Sequence, residues 1–190
     1  MKKYRLSYSE ALQRVKAKRK IIRPNEGFVT QLELYKDMGW TINRNHTKYK
    51  LFQLNLAAYR MRANLTLPQH FRVMIKPDPG LTESKPDPNV IKCRKCSRVL
   101  ASESNLFEHQ HKQKPCNKTL FIEPIVWMKI DRDFQGKLQC PKCEHEVGSF
   151  SWIRSSWCEC ECGKQMVPAL YLVPSEVDRA SVVENVEMAC

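Results

Sequence analysis

The hydrophobic and polar positions of the first 63 residues alternate with the period of amphipathic helices. Ser7 followed by Glu10 forms a capping-box pattern, which predicts that a first helix begins there. Asn25 is placed to cap a second helix, and Gly39 is placed to end it. A third helix is predicted from about residue 47 to residue 63. The apolar stripes of the three helices are Tyr8, Leu12 and Val15; Phe28, Leu32 and Tyr35; and Leu51, Leu54, Ala58 and Met61.

After residue 90 the pattern changes to short β-prone segments at 120–122, 125–127, 148–152 and 169–173. The fold class predicted is therefore α+β, with a helical N-terminal part and a small β-rich C-terminal domain. Between them, residues 76–89 hold four prolines and one glycine, which predicts an extended Pro-rich linker. The predicted division is 1–42, a connecting helical segment 43–75, the linker 76–89, the β-rich domain 90–178 and a polar tail 179–190. No internal repeat is evident.

Charge is distributed unevenly along the chain. Of its net charge of +12, the segment 1–62 carries +11, from 15 basic and 4 acidic side chains. No apolar run approaches the length of about 18 residues that a membrane span needs, and no signal-peptide pattern follows Met1. We therefore expect no membrane partner and a reducing compartment, in which Cys-x-x-Cys pairs favour metal over disulfides.

Nine cysteines, all at or beyond Cys93, contain two Cys-x-x-Cys pairs, each of which can direct two thiolates at one tetrahedral ion. For the first pair, Cys93 and Cys96, the nearest further thiol is Cys116, and the fourth ligand is His109 or His111. A short helix predicted over 105–109 favours His109. Taking ligands in chain order thus gives a first closed site: Cys93, Cys96, His109 and Cys116.

The second pair, Cys140 and Cys143, needs two ligands from Cys158, Cys160 and Cys162. Gly163 after Cys162 allows the turn behind a ligand, so the second site is predicted as Cys140, Cys143, Cys160 and Cys162. Cys158 is then a spare ligand and Cys190 a free thiol, and a redox or metal-sensing role for these two stays open. Two structural zinc ions are expected.

Catalytic motifs are absent from this sequence. It holds no Gly-x-Ser-x-Gly, P-loop or Rossmann glycine pattern. His46, His70 and His145 stand singly, and each is interpreted as a surface or locally bonded histidine. Both predicted metal sites can be closed by four protein ligands, whereas a catalytic zinc keeps a position open for water.

Several stretches together resemble the dual-specificity phosphatase 12 family. Residues 10–12, 23–28 and 31–35 are similar to the last helices of its phosphatase domain, and residues 92–96, 121–128, 136–143, 148–152 and 160–163 to its C-terminal zinc-binding part. The resemblance covers roughly residues 5–178. It implies that residues 1–42 are a remnant of a phosphatase domain, and that His109, Cys160 and Cys162 are ligands, with 157–159 a small insertion.

The resemblance also implies a protein-tyrosine and dual-specificity phosphatase with a His-Cys-x₅-Arg loop, which this sequence does not contain. We expect the chain to begin just after that loop and to be inactive as given. A fragment of a longer phosphatase is favoured over a short isoform. An active phosphatase remains the alternative if the loop exists upstream.

What the resemblance further implies is an adaptor role in assembly of the large ribosomal subunit. The expected partners are a pre-60S particle or its RNA, with phosphoproteins as further candidates. The expected location is the nucleus and the cytoplasm. The basic segment 1–62 suits phosphate contacts with RNA, although a solvated helix face explains it as well.

Overall fold

The computed structural model describes residues 1–64, 69–81, 87–111, 114–130, 133–157 and 165–181. The chain forms two compact units, Met1–Gln53 and Leu54–Cys190, and the boundary falls inside the third helix. The class is α+β, as predicted. In the part of the chain that the structure describes, no helix is long and apolar enough to cross a membrane.

The three predicted helices are present: α1 Tyr8–Lys16, α2 Glu26–Asp37 and α3 Thr47–Asn64. Both predicted caps form. The Ser7 side chain and the Glu10 carboxylate cap each other's backbone N–H groups, and Asn25 Oδ1 accepts the N–H of Phe28 at 2.9 Å. Gly39, in the left-handed region with φ 69°, follows the end of α2. Neither α1 nor α2 has a fully buried side chain.

The second unit is built on antiparallel strands, all of them short: β1 Asn89–Cys93, β2 Val99–Ser102, β3 Gln110–His111, β4 Lys114–Pro115, β5 Leu120–Phe121, β6 Gln135–Gln139, β7 Glu146–Ser151, β8 Ser156–Trp157, β9 Gln165–Met166, β10 Ala169–Leu172 and β11 Val177–Ser181. One sheet has the order β11-β1-β2, and a second has the order β5-β10-β7-β6. The pairs β3-β4 and β8-β9 form two separate ribbons.

Two local predictions are wrong. The segment 125–127 is not a strand but leads into a short 3₁₀ helix, Val126–Met128, in which the buried Trp127 donates its indole N–H to the Leu100 carbonyl at 2.7 Å. A short apolar run is equally compatible with a buried turn, so periodicity could not separate the two. The helix predicted over 105–109 is also missing. The 3₁₀ turn there ends at Asn105 and leaves His109 outside any helix.

Residues before the β-rich region contribute to its core. The second half of α3 buries four apolar side chains: Leu54, Ala57, Ala58 and Met61. Farther on, Phe71 is 1% exposed and packs edge-to-face on Trp152, with ring centroids 5.3 Å apart. The β-rich unit therefore includes part of the segment 43–75.

The described part of the Pro-rich segment also packs against this unit. The Lys76 N–H bonds to the Pro124 carbonyl at 2.8 Å. Asp78 is buried and pairs with Arg98 at 2.7 Å. At the other end of the domain, β11 pairs with β1 and continues to Ser181, three residues past the predicted limit at 178. Residues 82–86 and 182–190 lie outside the described residues.

Candidate metal centre

Each Cys-x-x-Cys pair lies at the turn of a β-hairpin. Cys93 ends β1, and the turn through Cys96 leads into β2. Cys140 directly follows β6, and the turn through Cys143 leads into β7. The first hairpin belongs to the three-stranded sheet and the second to the four-stranded sheet. The two cysteine turns therefore come from different sheets.

The two turns have the same backbone conformation. Ser97 donates its N–H to the Cys93 carbonyl at 2.8 Å, and Glu144 donates its N–H to the Cys140 carbonyl at 2.9 Å. Ser97 and Glu144 both adopt the left-handed region, with φ 58° and φ 57°. Non-glycine residues seldom adopt this conformation, so its occurrence at both equivalent positions marks one shared turn type.

The likeness extends into the strands with an offset of 47 positions. The β1-β2 register shifts between Ile91 and Lys92, and the β6-β7 register shifts between Leu138 and Gln139, which are the equivalent residues. A β-bulge therefore precedes each turn at the same place. The second unit thus contains a structural repeat that the sequence did not reveal, because few side chains beyond the cysteines are shared.

The four thiols of these turns, Cys93, Cys96, Cys140 and Cys143, lie close enough to bind a metal ion. Their sulfur atoms all lie within 4.8 Å of one another. The Sγ atoms of Cys93 and Cys143 are 3.7 Å apart, and those of Cys96 and Cys140 are 3.6 Å apart. These separations are too long for disulfides, whose sulfurs are about 2.05 Å apart. A tetrahedral ion with metal–sulfur bonds of about 2.3 Å would hold its ligands about 3.8 Å apart, so the four thiols fit zinc.

Backbone N–H groups solvate the sulfurs, as expected for such turns. The backbone N–H of His145, two residues after Cys143, hydrogen-bonds its thiolate and lowers the pKa of Cys143 to about 7. The N–H of Arg98 makes the equivalent bond to Cys96. Burial instead raises the pKa of the Cys93 thiol to about 12. Four adjacent thiols cannot all ionise without a cation, and an ion bound among them would replace their protons.

The grouping of ligands in chain order is wrong. The structure joins the first Cys-x-x-Cys pair to the second, and not to His109 and Cys116. Chain order failed because the repeated hairpins bring their turns together across the two sheets, although 47 positions separate them. Within the described ranges, this is the one cluster of three or more potential metal ligands.

His109 and Cys116 lie together elsewhere in the domain. The Cys116 N–H bonds to the His109 carbonyl at 2.9 Å, and both residues line one small cavity. The His109 side chain is 9% exposed and its ring lies 5.4 Å from that of Phe121. The other predicted ligands, Cys160 and Cys162, lie outside the described residues, as do Cys158 and Cys190.

Comparison with known proteins extends over nearly the whole chain. Dual specificity protein phosphatase MPK-4 of Drosophila melanogaster is 36% identical over 245 aligned positions, which cover 98% of this chain and 63% of the relative. Human dual specificity protein phosphatase 12 is 28% identical and covers 96% of the chain. Tyrosine-protein phosphatase YVH1 of Saccharomyces cerevisiae is 28% identical and covers 94%.

The homologues of this chain are dual specificity phosphatase 12 and YVH1. The family resemblance stated from the sequence is thereby confirmed. The chain spans less than two thirds of the length of these relatives, between 58% and 63%. No protein-family model matches it.

The sequence did not point to two residues beside the thiols. His145 Nε2 lies 2.7 Å from a carboxylate oxygen of Glu176. Hydrogen bonds from the Ser175 hydroxyl and from His145 lower the pKa of Glu176. His145 was expected to be surface or locally bonded, which agrees with this contact, but its partner is 31 positions away. No local sequence signal could have identified Glu176.

Proposed function

We propose that this chain is a zinc-binding adaptor of the dual-specificity phosphatase 12 type, acting in assembly of the large ribosomal subunit in the nucleus and cytoplasm. The four-thiol cluster carries the proposal. Four protein ligands close a tetrahedral site and leave no position for a water or substrate, so the ion would stabilise the fold and not catalyse a reaction. Such a domain serves to present a surface to a partner.

We further propose that the chain holds two zinc ions. The first would be bound by Cys93, Cys96, Cys140 and Cys143. The second would use the remaining predicted ligands, which are His109, Cys116, Cys160 and Cys162. The proximity of His109 and Cys116 beside one small cavity supports this second set.

The N-terminal unit supplies a surface suited to RNA phosphates. Lys16, Lys18, Arg19, Lys20 and Arg23 are exposed and follow one another at the end of α1. Among the described residues, no acidic side chain pairs with Lys18, Arg19 or Lys20. Such a cluster binds a polyanion by releasing counterions, and the affinity then falls steeply with salt.

Binding of the whole chain to a single-stranded RNA, titrated at several salt concentrations, tests this surface. Replacing Lys18, Arg19 and Lys20 by glutamine should reduce the slope of log K against log salt by about 2, at about 0.7 per lost phosphate contact. Three exposed basic residues of the other unit, Lys118, Lys129 and Arg154, provide the matched control. An equal loss in both triple variants would rule out a specific N-terminal surface.

Capture of pre-60S particles from a cell lysate by the tagged whole chain tests the adaptor role. The whole chain is required because part of α3 and Phe71 belong to the core of the β-rich unit. We expect wild type to enrich large-subunit precursors and the Cys93→Ala variant to lose most of that enrichment. Equal recovery by both would refute a role that depends on the metal centre.

A phosphatase is the second candidate function, because the relatives are named dual specificity or tyrosine-protein phosphatases. The proposal is that a longer protein carrying the catalytic loop dephosphorylates phosphoproteins, with this chain as its metal-binding part. The chain as given should not hydrolyse an aryl phosphate above a buffer control. Hydrolysis that survives replacement of Cys93 would show an active site outside the metal centre.

A further inference from the structure

One acidic residue outside the ligand set contacts both cysteine turns. The Glu176 side chain meets His145 Nε2 at 2.7 Å. Its backbone carbonyl accepts the N–H of Arg94 at 3.1 Å. Arg94 lies between the two cysteines of the first turn, whereas His145 follows the second turn and donates its own N–H to Cys143. Glu176 therefore links the two halves of the ligand shell from outside.

The segment that carries Glu176 is itself held in place. Pro174–Glu176 forms a 3₁₀ turn closed by a bond from the Glu176 N–H to the Val173 carbonyl at 2.9 Å. The Val173 N–H bonds to the Val147 carbonyl in β7, also at 2.9 Å. Directly after the turn, β11 pairs with β1 up to Cys93. One end of the turn is thus attached to the second hairpin and the other end to the first.

The chemistry of the contact is that of a support for a metal ligand. An ionised carboxylate only accepts hydrogen bonds, so His145 Nε2 donates to it. This bond orients the ring and the backbone of His145, whose N–H solvates the Cys143 sulfur. Partners in this position are known to change metal affinity by about 10- to 100-fold when they are removed.

We propose that Glu176 is a positioning residue for the metal centre, which holds the two cysteine turns at their ligating separation and thereby slows release of the ion. The inference rests on the proposed zinc site, but it does not depend on the ribosomal role. It assigns to the C-terminal turn and strand a function beyond packing, because they couple the two hairpins that supply the ligands.

Release of zinc from the whole chain into an excess of chelator, followed by a colorimetric zinc indicator well below the melting temperature, tests the proposal. Glu176→Ala should release the ion about 10- to 100-fold faster than wild type. Glu176→Gln retains an acceptor for His145 and should stay within about threefold of wild type. Glu146→Ala is the matched control, because it removes an exposed 2.6 Å ion pair with Lys137 on the same hairpin.

His145→Ala tests the contact from its other side, should Glu176→Ala not fold. It should release zinc as fast as Glu176→Ala, and the double variant should be no faster than either single one. Equal rates for Glu176→Ala and Glu146→Ala would overturn the proposal, and so would a Gln variant as fast as the Ala variant. Absence of zinc from wild type would instead overturn the metal centre itself, so the two failures are distinguishable.

Discussion

Replacement of Cys93 and Cys140 by alanine, singly and together, tests whether the two cysteine turns share one ion. If they do, either single variant loses that ion, and the double variant loses nothing more. Ligand sets taken in chain order predict the opposite, because the two residues would then belong to different ions. The companion pair is Cys93→Ala with Cys116→Ala, which should remove both proposed ions, whereas sets in chain order would spare one.

The size of the effect follows from the geometry. The sulfur separations of 3.6 and 3.7 Å are already those of a tetrahedral thiolate site, so little rearrangement opposes binding. Structural zinc contributes about 10–16 kcal/mol of apparent folding free energy in small zinc domains at pH 7. This equals or exceeds the total stability of a typical domain, about 5–15 kcal/mol. Each single variant should therefore destabilise the β-rich unit strongly, and the second substitution should add little.

Elemental analysis of zinc per chain, with urea unfolding as the second measurement, decides between the two groupings. Wild type should hold about two ions, each single variant one ion fewer, and Cys93→Ala with Cys140→Ala the same content as either single variant. A Cys93→Ala, Cys140→Ala protein with no zinc, beside a Cys93→Ala, Cys116→Ala protein that keeps one ion, would refute the shared site.

Three further substitutions probe the packing that supports the metal centre, each measured as the free energy of unfolding in urea. Phe71→Ala should cost about 3–5 kcal/mol because the ring is buried, whereas Val73→Ala, at a side chain 71% exposed, should change stability by no more than about 0.5 kcal/mol. Asp78→Ala leaves the largely buried guanidinium of Arg98 without its partner and should cost about 3–5 kcal/mol; a neutral result would show that water replaces the carboxylate. Gly148→Ala places a Cβ 2.1 Å from a backbone oxygen of β10 and should cost at least about 1–3 kcal/mol, unless the strands separate without loss of stability.

Local features of the fold followed from the sequence where neighbouring residues carry the signal. The caps at Ser7 and Asn25 act within one helical turn, so their bonds could be predicted from spacing alone. The β-prone segments 148–152 and 169–173 were placed well, because alternation and turn residues mark them. The strands β1, β6 and β11 were missed, since polar and basic residues interrupt them and pairing with distant strands stabilises them.

The sequence alone determined that this protein binds metal through paired cysteines, because a Cys-x-x-Cys turn is a local structure that creates half of a tetrahedral site. It also determined the family, since enough short motifs are retained in order. Which half-sites meet was decided only by the tertiary structure. Two hairpins with an offset of 47 positions bring their turns together across two sheets, and Glu176 joins them from a third segment. Four ligands bind one ion when their sulfur atoms lie within reach of it, and that distance depends on strand pairing and not on order along the chain.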